Sequence, residues 1–468
     1  MTERVIVANR GEIAIRVMQA CTALGHDVVG VYTPEDNQSL HVDFARKNSS
    51  LGGKGIWCVG DYASLDDILQ VADFTGCTAF HPGYGYLSED PRAARRITYP
   101  FHAPKGYPQR KGLRFIGPHH EHIKLLGNKL AMKRLASALG VPVIPGTLNE
   151  ILNETEAEDA VHETGLPVLI KATAGGGGRG ITLVEHANEI RRRFRAARRD
   201  ARDYFKNDSV LIEKYFTDFQ HIEVQLVCDA AHDTYVHWGT RNCTVQTPWR
   251  QKRIEVGPGF DPDYKYPYDA HKIEERILRH SKELAGHIGY NTLVTFEWLV
   301  TNSGDFYLME ANTRFQVEGF VSGNIVSIGG ERRNLLQEQI ALAYGRPLRY
   351  TQQDITLNGF CIEYRIVAED TDNGFRPWAG TITRFEVPAH NWLEVYSHIP
   401  RDKPYVIPAK TDPNLALVLV RGKTLEEAKN LGVRALKETV IEGKAASGEP
   451  IKMNIPYLIA RTPRLLHL

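Results

Sequence analysis

Residues 5–32 read VIVANRGEIAIRVMQACTALGHDVVGVY. Four apolar residues at 5–8 suit a strand, NRGE at 9–12 a polar loop, the apolar spacing over 13–24 a helix, and DVVGVY at 27–32 a second strand. A strand, helix and strand in this order imply a parallel sheet, because only a crossover returns the chain to a parallel neighbour; ligands then gather beyond the carboxyl ends of the strands. TAF at 78–80 and LRFIG at 113–117 predict further short strands, and the Pro-, Gly- and Lys-rich run ITYPFHAPKGYPQRKG between them reads as a surface insertion.

Outward from that unit the class changes. Helices are predicted over 120–139, then a strand PVLIKAT at 167–173, a strand ITLV at 181–184, a charged helix over 186–204 and a strand VLIEKYF at 210–216. From His221 the chain alternates strands, HIEVQLVCD and TYVHWGTRNCTVQ, which predicts an antiparallel sheet. A helix near 270–288, the strands TLVTFEWLV and GDFYLME, and a helix near 333–344 follow. Beyond residue 351 come more strands, a Pro- and Lys-rich stretch at 400–412 and an amphipathic helix at 424–439. The expected fold is therefore α/β followed by α+β.

With 468 residues the chain exceeds one hydrophobic core, so two or three domains are expected. The net charge of +1 provides no field for nucleic acid or anionic lipid, and the longest apolar runs fall short of a membrane span. Arg191, Arg192, Arg193, Arg195, Arg198 and Arg199 are broken by apolar residues and read as a solvated helix face. Six cysteines without CxxC spacing read as reduced thiols, and a first strand that begins almost at once leaves no room for a signal peptide; a cytoplasmic location is expected.

Lys171 ends an apolar strand and is followed by Gly175, Gly176, Gly177, Gly178, Arg179 and Gly180. Exposed backbone N–H groups in such a hairpin can close over phosphates while the lysine supplies fixed positive charge, although a plain flexible hairpin also fits the run. The lysine precedes the glycines, which excludes a P-loop. Glu297 lies in the strand TFEW and Glu310 ends FYLME, with Asn312 two residues on; oxygen donors on adjacent strands suit a hard cation such as Mg²⁺. Arg314, Gln316 and Glu318 alternate along NTRFQVE, and in a strand they would share one face as a cradle for a small planar anion with a base beside it.

Taken together in this order, VIVANRGEIAIR, SLHVDFA, HPGYGYLSED, IKATAGGGGRG, FEWL and MEANTRFQVE resemble biotin carboxylase along nearly the whole chain. The resemblance implies an ATP-grasp fold with an N-terminal doubly wound parallel-sheet domain at 1–117, an ATP-grasp domain at 118–350 with a mobile lid at about 143–214, and an antiparallel C-terminal body at 351–468. It further implies that Lys129 and Lys171 hold ATP phosphates, that Gly175 to Gly180 form the lid loop, and that Glu213 meets the adenine with Lys214 beside it. His221 and Gln246 would contact the nucleoside, and Glu297, Glu310 and Asn312 would anchor Mg²⁺ or Mn²⁺ and phosphate. Bicarbonate would lie against Lys252, Arg314, Gln316 and Val317, with Glu318 as its base, and Arg365 would stabilise the enolate of biotin. Biotin would arrive on a separate carboxyl carrier protein, with carboxyltransferase subunits as further partners and homodimers common in the family.

Three stretches depart from the family pattern. RNCTVQTPWRQKRIE carries one extra residue and places Arg250 where a histidine is usual, which puts the register of Lys252 in question. GFVSG at 319–323 replaces HPVTE, and AKTDPNLALVLV replaces YYDSMIGKLI near the C-terminus. Lys452 has a single neighbouring methionine and does not make a biotinylation site. Three readings follow: a divergent ATP-grasp enzyme with a non-biotin acceptor, a non-catalytic paralogue, and, carried by most of the motifs, a biotin carboxylase subunit.

Overall fold

A computed structural model of the chain describes residues 3–99, 111–173, 180–248, 250–408 and 414–466. Gly175–Gly178 and Arg179 of the predicted loop, most of the predicted 97–112 insertion, and residues 409–413 lie outside the described residues.

The N-terminal sheet is five-stranded and parallel, with the spatial order Ile56–Cys58, Asp27–Tyr32, Arg4–Val7, Ala79–His81, Arg114–Phe115. Val5, Ile6 and Val7 are fully buried because helices cover both faces, which is why the run is continuously apolar instead of alternating. The helix Gly11–Ala23 starts with Gly11 at φ +66°, and a Cβ there would sit 3.4 Å from the ring of His398. The loop before it is locked internally. Arg10 donates to both oxygens of Asp36 at 2.5 Å, and the Tyr62 hydroxyl donates to the same carboxylate at 2.9 Å.

A three-stranded antiparallel sheet follows, with Val168–Ala172 between Ile181–Val184 and Val210–Lys214. The helices Glu154–Thr164 and Ile190–Phe205 cover it and close a small core of their own around Val168, Ile170, Phe194 and Ile212. The arginine run behaves as its spacing predicts, a solvated face tied down by Glu154, Glu158, Glu189 and Asp208.

The third sheet organises the molecule. Its eight antiparallel strands run Phe306–Asn312, Thr292–Thr301, Phe219–Asp229, Thr234–Gln246, Lys252–Gly257, Phe360–Val367, Asn414–Gly422, Leu393–Ser397. It continues unbroken across residue 350, so the strands before and after that position share one hydrogen-bonded surface. NTRFQVE is not a strand, contrary to the sequence reading: Phe306–Asn312 ends at Asn312, residues 313–318 turn, and Glu318 is the N-cap of the helix Gly319–Ile325. The glycine at 319 fits close packing, since a Cβ there would come 3.0 Å from the Phe315 ring. Lys452 pairs with Asp370 at 2.6 Å on the surface. Among the described residues no helix is long and apolar enough to cross a membrane.

Asp36 is fully buried and is the counter-ion of the buried Arg10. Asp36→Ala leaves that guanidinium uncompensated and is expected to cost about 3–5 kcal/mol. A fall in the urea midpoint at unchanged slope would report it; a loss below about 1 kcal/mol, the worth of an exposed pair, would refute the packing role.

Candidate active site

Five strands of the long sheet each bring charge to one place. In Phe219–Asp229 the residues His221, Glu223 and Gln225 alternate, so they share a face; Glu223 is the register partner of Glu297 on one side and of Arg241 on the other. Lys252 opens the strand Lys252–Gly257 and reaches across all of them. Its ammonium contacts Glu223 Oε1, lies 3.0 Å from Glu297 Oε1 and 2.6 Å from Glu318 Oε1. Arg241, fully buried, donates to Glu223 at 2.9 Å, to Gln225 and Ser322 at 3.0 Å, and to Gln316 at 3.0 Å. Arg365 lies 3.0 Å from Glu318 Oε2 and 2.5 Å from Glu255 Oε1. His221 lies 2.8 Å from Glu297 Oε2, with its other ring nitrogen 2.9 Å from the Gln246 amide.

Lys252 pairs in register with Gln246 across irregular register between Asn242 and Gln246, and before it Arg250 stands at φ +64° with its guanidinium over the Phe219 ring at 5.2 Å.

The charge arithmetic constrains protonation. Lys252, Arg241 and Arg365 are three cations facing Glu223, Glu297, Glu318, Glu255 and Glu363, five carboxyls. Burial pushes Glu318 and Glu297 upward, but Lys252 with Arg365 at the first, and Lys252 with His221 at the second, outweigh it and hold both well below the usual carboxylate range. At neutral pH Glu318 is thus an acceptor-only carboxylate. The deficit falls on Glu223, where burial outweighs Lys252 and Arg241 and raises the carboxyl, and on the far side of Arg365. Burial drives the Glu363 carboxyl well up, and both its oxygens lack a hydrogen-bond partner. Burial also raises Glu255, despite Arg365, to about 7.

The second half of the site lies under the three-stranded sheet. Lys129 Nζ is 3.3 Å from Glu310 Oε2, and the Lys129 N–H donates to Thr173 O, next to the end of the Lys171 strand. Lys171 donates to Glu213 Oε2 at 2.7 Å, and Lys133 donates to Glu213 Oε1 at 2.9 Å. The Lys214 ammonium donates to the carbonyls of Gly165 and Leu166 at 3.0 and 2.8 Å. Glu297 and Glu310 are direct register partners, and the Asn312 amide donates to Glu297 at 2.7 Å. This set of hard oxygen donors, with Glu310 partly exposed, fits a Mg²⁺ ion shared with phosphate. His221, Glu223 and Glu297 also converge, but the Lys252 ammonium already neutralises that carboxylate pair.

Arg314 pairs with Glu89 at 3.0 Å and points its second nitrogen toward Asn312, so the HPGYGYLSED stretch enters the site from the N-terminal sheet. Gln316 and Val317 are buried in the turn that carries Glu318, where Gln316 donates to Glu297 at 3.1 Å. Sequence reasoning missed Lys133, Glu223, Arg241, Glu255 and Glu363. A signal existed for four of them, charged residues at alternate positions inside otherwise apolar strands; Lys133, on a helix, left none.

Between pH 4.5 and 7 the folded state binds a proton at Glu255 that the unfolded chain has lost, so this contribution to stability fades as pH rises through about 7. Glu255→Gln removes it. The melting point of the variant relative to the parent is expected to rise from pH 5 to pH 8; a constant difference would mean that Glu255 is ionised throughout.

Comparison with known proteins agrees with this geometry. The chain matches the biotin carboxylase N-terminal domain over residues 1–123, the carbamoyl-phosphate synthase L chain ATP-binding domain over 128–351 and the biotin carboxylase C-terminal domain over 363–459. It is 35% identical over 461 residues to the 2-oxoglutarate carboxylase small subunit of Hydrogenobacter thermophilus, covering 98% of this chain and 89% of that protein. It is 35% identical to biotin carboxylase 1 of Bacillus subtilis, covering 98% and 94%. The biotin carboxylase domain dimer of Hydrogenobacter thermophilus 2-oxoglutarate carboxylase, solved with MgADP, ADP and bicarbonate, superimposes with a TM-score of 0.86 at 33% identity, covering 99% of this chain and 94% of that one. Biotin carboxylase of Campylobacter jejuni in a β-γ-ATP complex gives 0.85 at 30%, covering 99% and 95%. With an ATP-grasp fold matched from end to end and relatives this similar over nearly their full length, the chain belongs to the biotin carboxylase family.

Proposed function

We propose that the chain is the biotin carboxylase component of an acyl-CoA or 2-oxoacid carboxylase, an ATP-dependent ligase that carboxylates biotin on a separate carrier protein through carboxyphosphate. The observation that carries this reading is the continuous chain of charge from Lys252 through Glu318 to Arg365. A carboxylate between a lysine and an arginine supports the reading of a base with cations on either side of it. Glu318 accepts the bicarbonate proton; the resulting oxyanion, held by Lys252 and Arg314 with Gln316 and Val317 beside it, attacks the γ-phosphorus as ADP leaves. Lys129 and Lys171 neutralise the phosphates, and Glu213, His221 and Gln246 border the nucleoside. Mg²⁺ or Mn²⁺ held by Glu297, Glu310 and Asn312 would supply charge neutralisation between phosphates. Carboxyphosphate breaks down to CO₂ and phosphate; the phosphate takes the ureido N–H proton of biotin, Arg365 balances the resulting enolate, and its nitrogen forms the new N–C bond to CO₂.

The division of labour we propose follows residues 1–117, 118–350 with a lid at about 143–214, and 351–468. A carrier protein, carboxyltransferase subunits and a second copy of this chain are the proposed partners. A cytoplasmic location is supported by six free thiols, five of them buried.

ADP release that needs bicarbonate and rises with free biotin is the expected result. Release indifferent to biotin but stimulated by an amine would move the assignment to a divergent ligase with another acceptor, and absence of MgATP binding would make the chain a non-catalytic paralogue. Glu318→Gln is expected to lower bicarbonate-dependent turnover by about 10²-fold or more while nucleotide affinity stays within about threefold; unchanged turnover would remove the base role. Lys171→Ala should weaken MgATP in calorimetry, and equal affinity would remove the phosphate role.

A further inference from the structure

Resting on the nucleotide reading above, we infer that Lys133 is a positioning residue for ATP: it keeps Glu213 neutralised so that Lys171 can leave that carboxylate for nucleotide phosphate. The geometry is a single carboxylate shared by two ammonium groups. Glu213 Oε1 accepts from Lys133 at 2.9 Å and Oε2 from Lys171 at 2.7 Å, so each oxygen serves one lysine. The two lysines come from different bodies. Lys171 and Glu213 stand on adjacent strands of the three-stranded sheet, diagonal neighbours on one face, since Glu213 is the register partner of Leu169. Lys133 stands on the helix Lys129–Ala138, one turn beyond Lys129, and so comes from outside that sheet.

Lys133 is only 3% exposed, less than any other lysine of the site, and burial weakens its hold on the proton while Glu213 strengthens it. A lysine so deep cannot reach solvent phosphate by a simple rotation, so its work is done on Glu213. One carboxylate against two ammonium groups leaves a net positive charge, and the partly exposed Lys171 is the member able to move. When it does, Glu213 remains paired. Without Lys133 the same movement would strand a buried carboxylate, and Glu213 would instead retain Lys171 against the nucleotide. The pair also couples the sheet to the helix that carries Lys129, so that the two phosphate-binding lysines are set relative to each other through Glu213.

The test is calorimetry of MgATP binding to the full chain and to K133M, E213Q and K133M/E213Q, each first shown to melt cooperatively. K133M is expected to bind at least tenfold more weakly, with KM for ATP raised and KM for bicarbonate unchanged. K133M/E213Q is expected to match E213Q within twofold, because Lys133 has nothing to neutralise once the carboxylate is gone. Equal affinity of K133M and the parent would overturn the inference, as would a tenfold loss from K133M in the E213Q background. If K133M alone does not fold, the comparison within the E213Q background still decides. A parent chain that binds no MgATP defeats the nucleotide reading itself and takes this inference with it, whereas a parent that binds and a K133M that binds equally defeats the inference alone.

Discussion

The Lys252 ammonium, set among Glu223, Glu297 and Glu318, is the contact on which the site depends. Three carboxylates from three separate segments cannot approach one another in a buried place without a cation, because their mutual repulsion in a poorly screened interior would drive protons onto them. Lys252 makes that approach possible and thereby fixes where the turn 313–318 meets the long sheet. Arg241 performs the same service one layer deeper, bridging Glu223 to Gln316 and Ser322, so the turn and the helix that follows it rest on a charged floor rather than an apolar one. A floor of this kind is poor stabilisation per atom, since desolvating charge offsets much of the attraction. What it provides is direction: donors and acceptors held in place before any substrate arrives.

The surplus of carboxyls over cations leaves the pocket unevenly protonated. Glu297 and Glu318 are ionised, whereas Glu223 beside Lys252, and Glu255 and Glu363 beyond Arg365, retain protons more readily. Arg365 stands at the boundary, with Glu318 on one side and Glu255 on the other. A guanidinium between an ionised carboxylate and a readily protonated one can shift its hydrogen bonds toward a developing anion without leaving a charge stranded. The nucleotide half uses the same device in simpler form, with Glu213 between two lysines.

Two of the three departures from the family pattern lie among the described residues. Before Lys252 the chain turns through Arg250 in a left-handed conformation, and Lys252 pairs with Gln246. The segment after Glu318 is a buried helix whose Phe320 ring lies 4.7 Å from Tyr396, so its change of sequence alters the floor beneath the base and not the base itself. Lys129, Lys171, Glu310 and Arg314 stand along one connected path of contacts, through Lys133 and Glu213 on one side and through Glu297 and Asn312 on the other.

By itself the sequence determined the parallel N-terminal unit and the switch to alternating strands at His221, and it singled out Lys171, Glu297, Glu310 and Glu318, because apolar periodicity and glycine placement are local properties. It misjudged NTRFQVE, whose alternation fits a strand but whose residues turn after Asn312 to seat Glu318 at a helix start. Tertiary structure alone decided that Glu223 stands opposite Glu297, that Lys252 reaches both, and that Lys133 shares Glu213 with Lys171. Register between strands and the approach of one helix to a distant sheet are set by the packing of whole surfaces, so no single stretch of residues contains them.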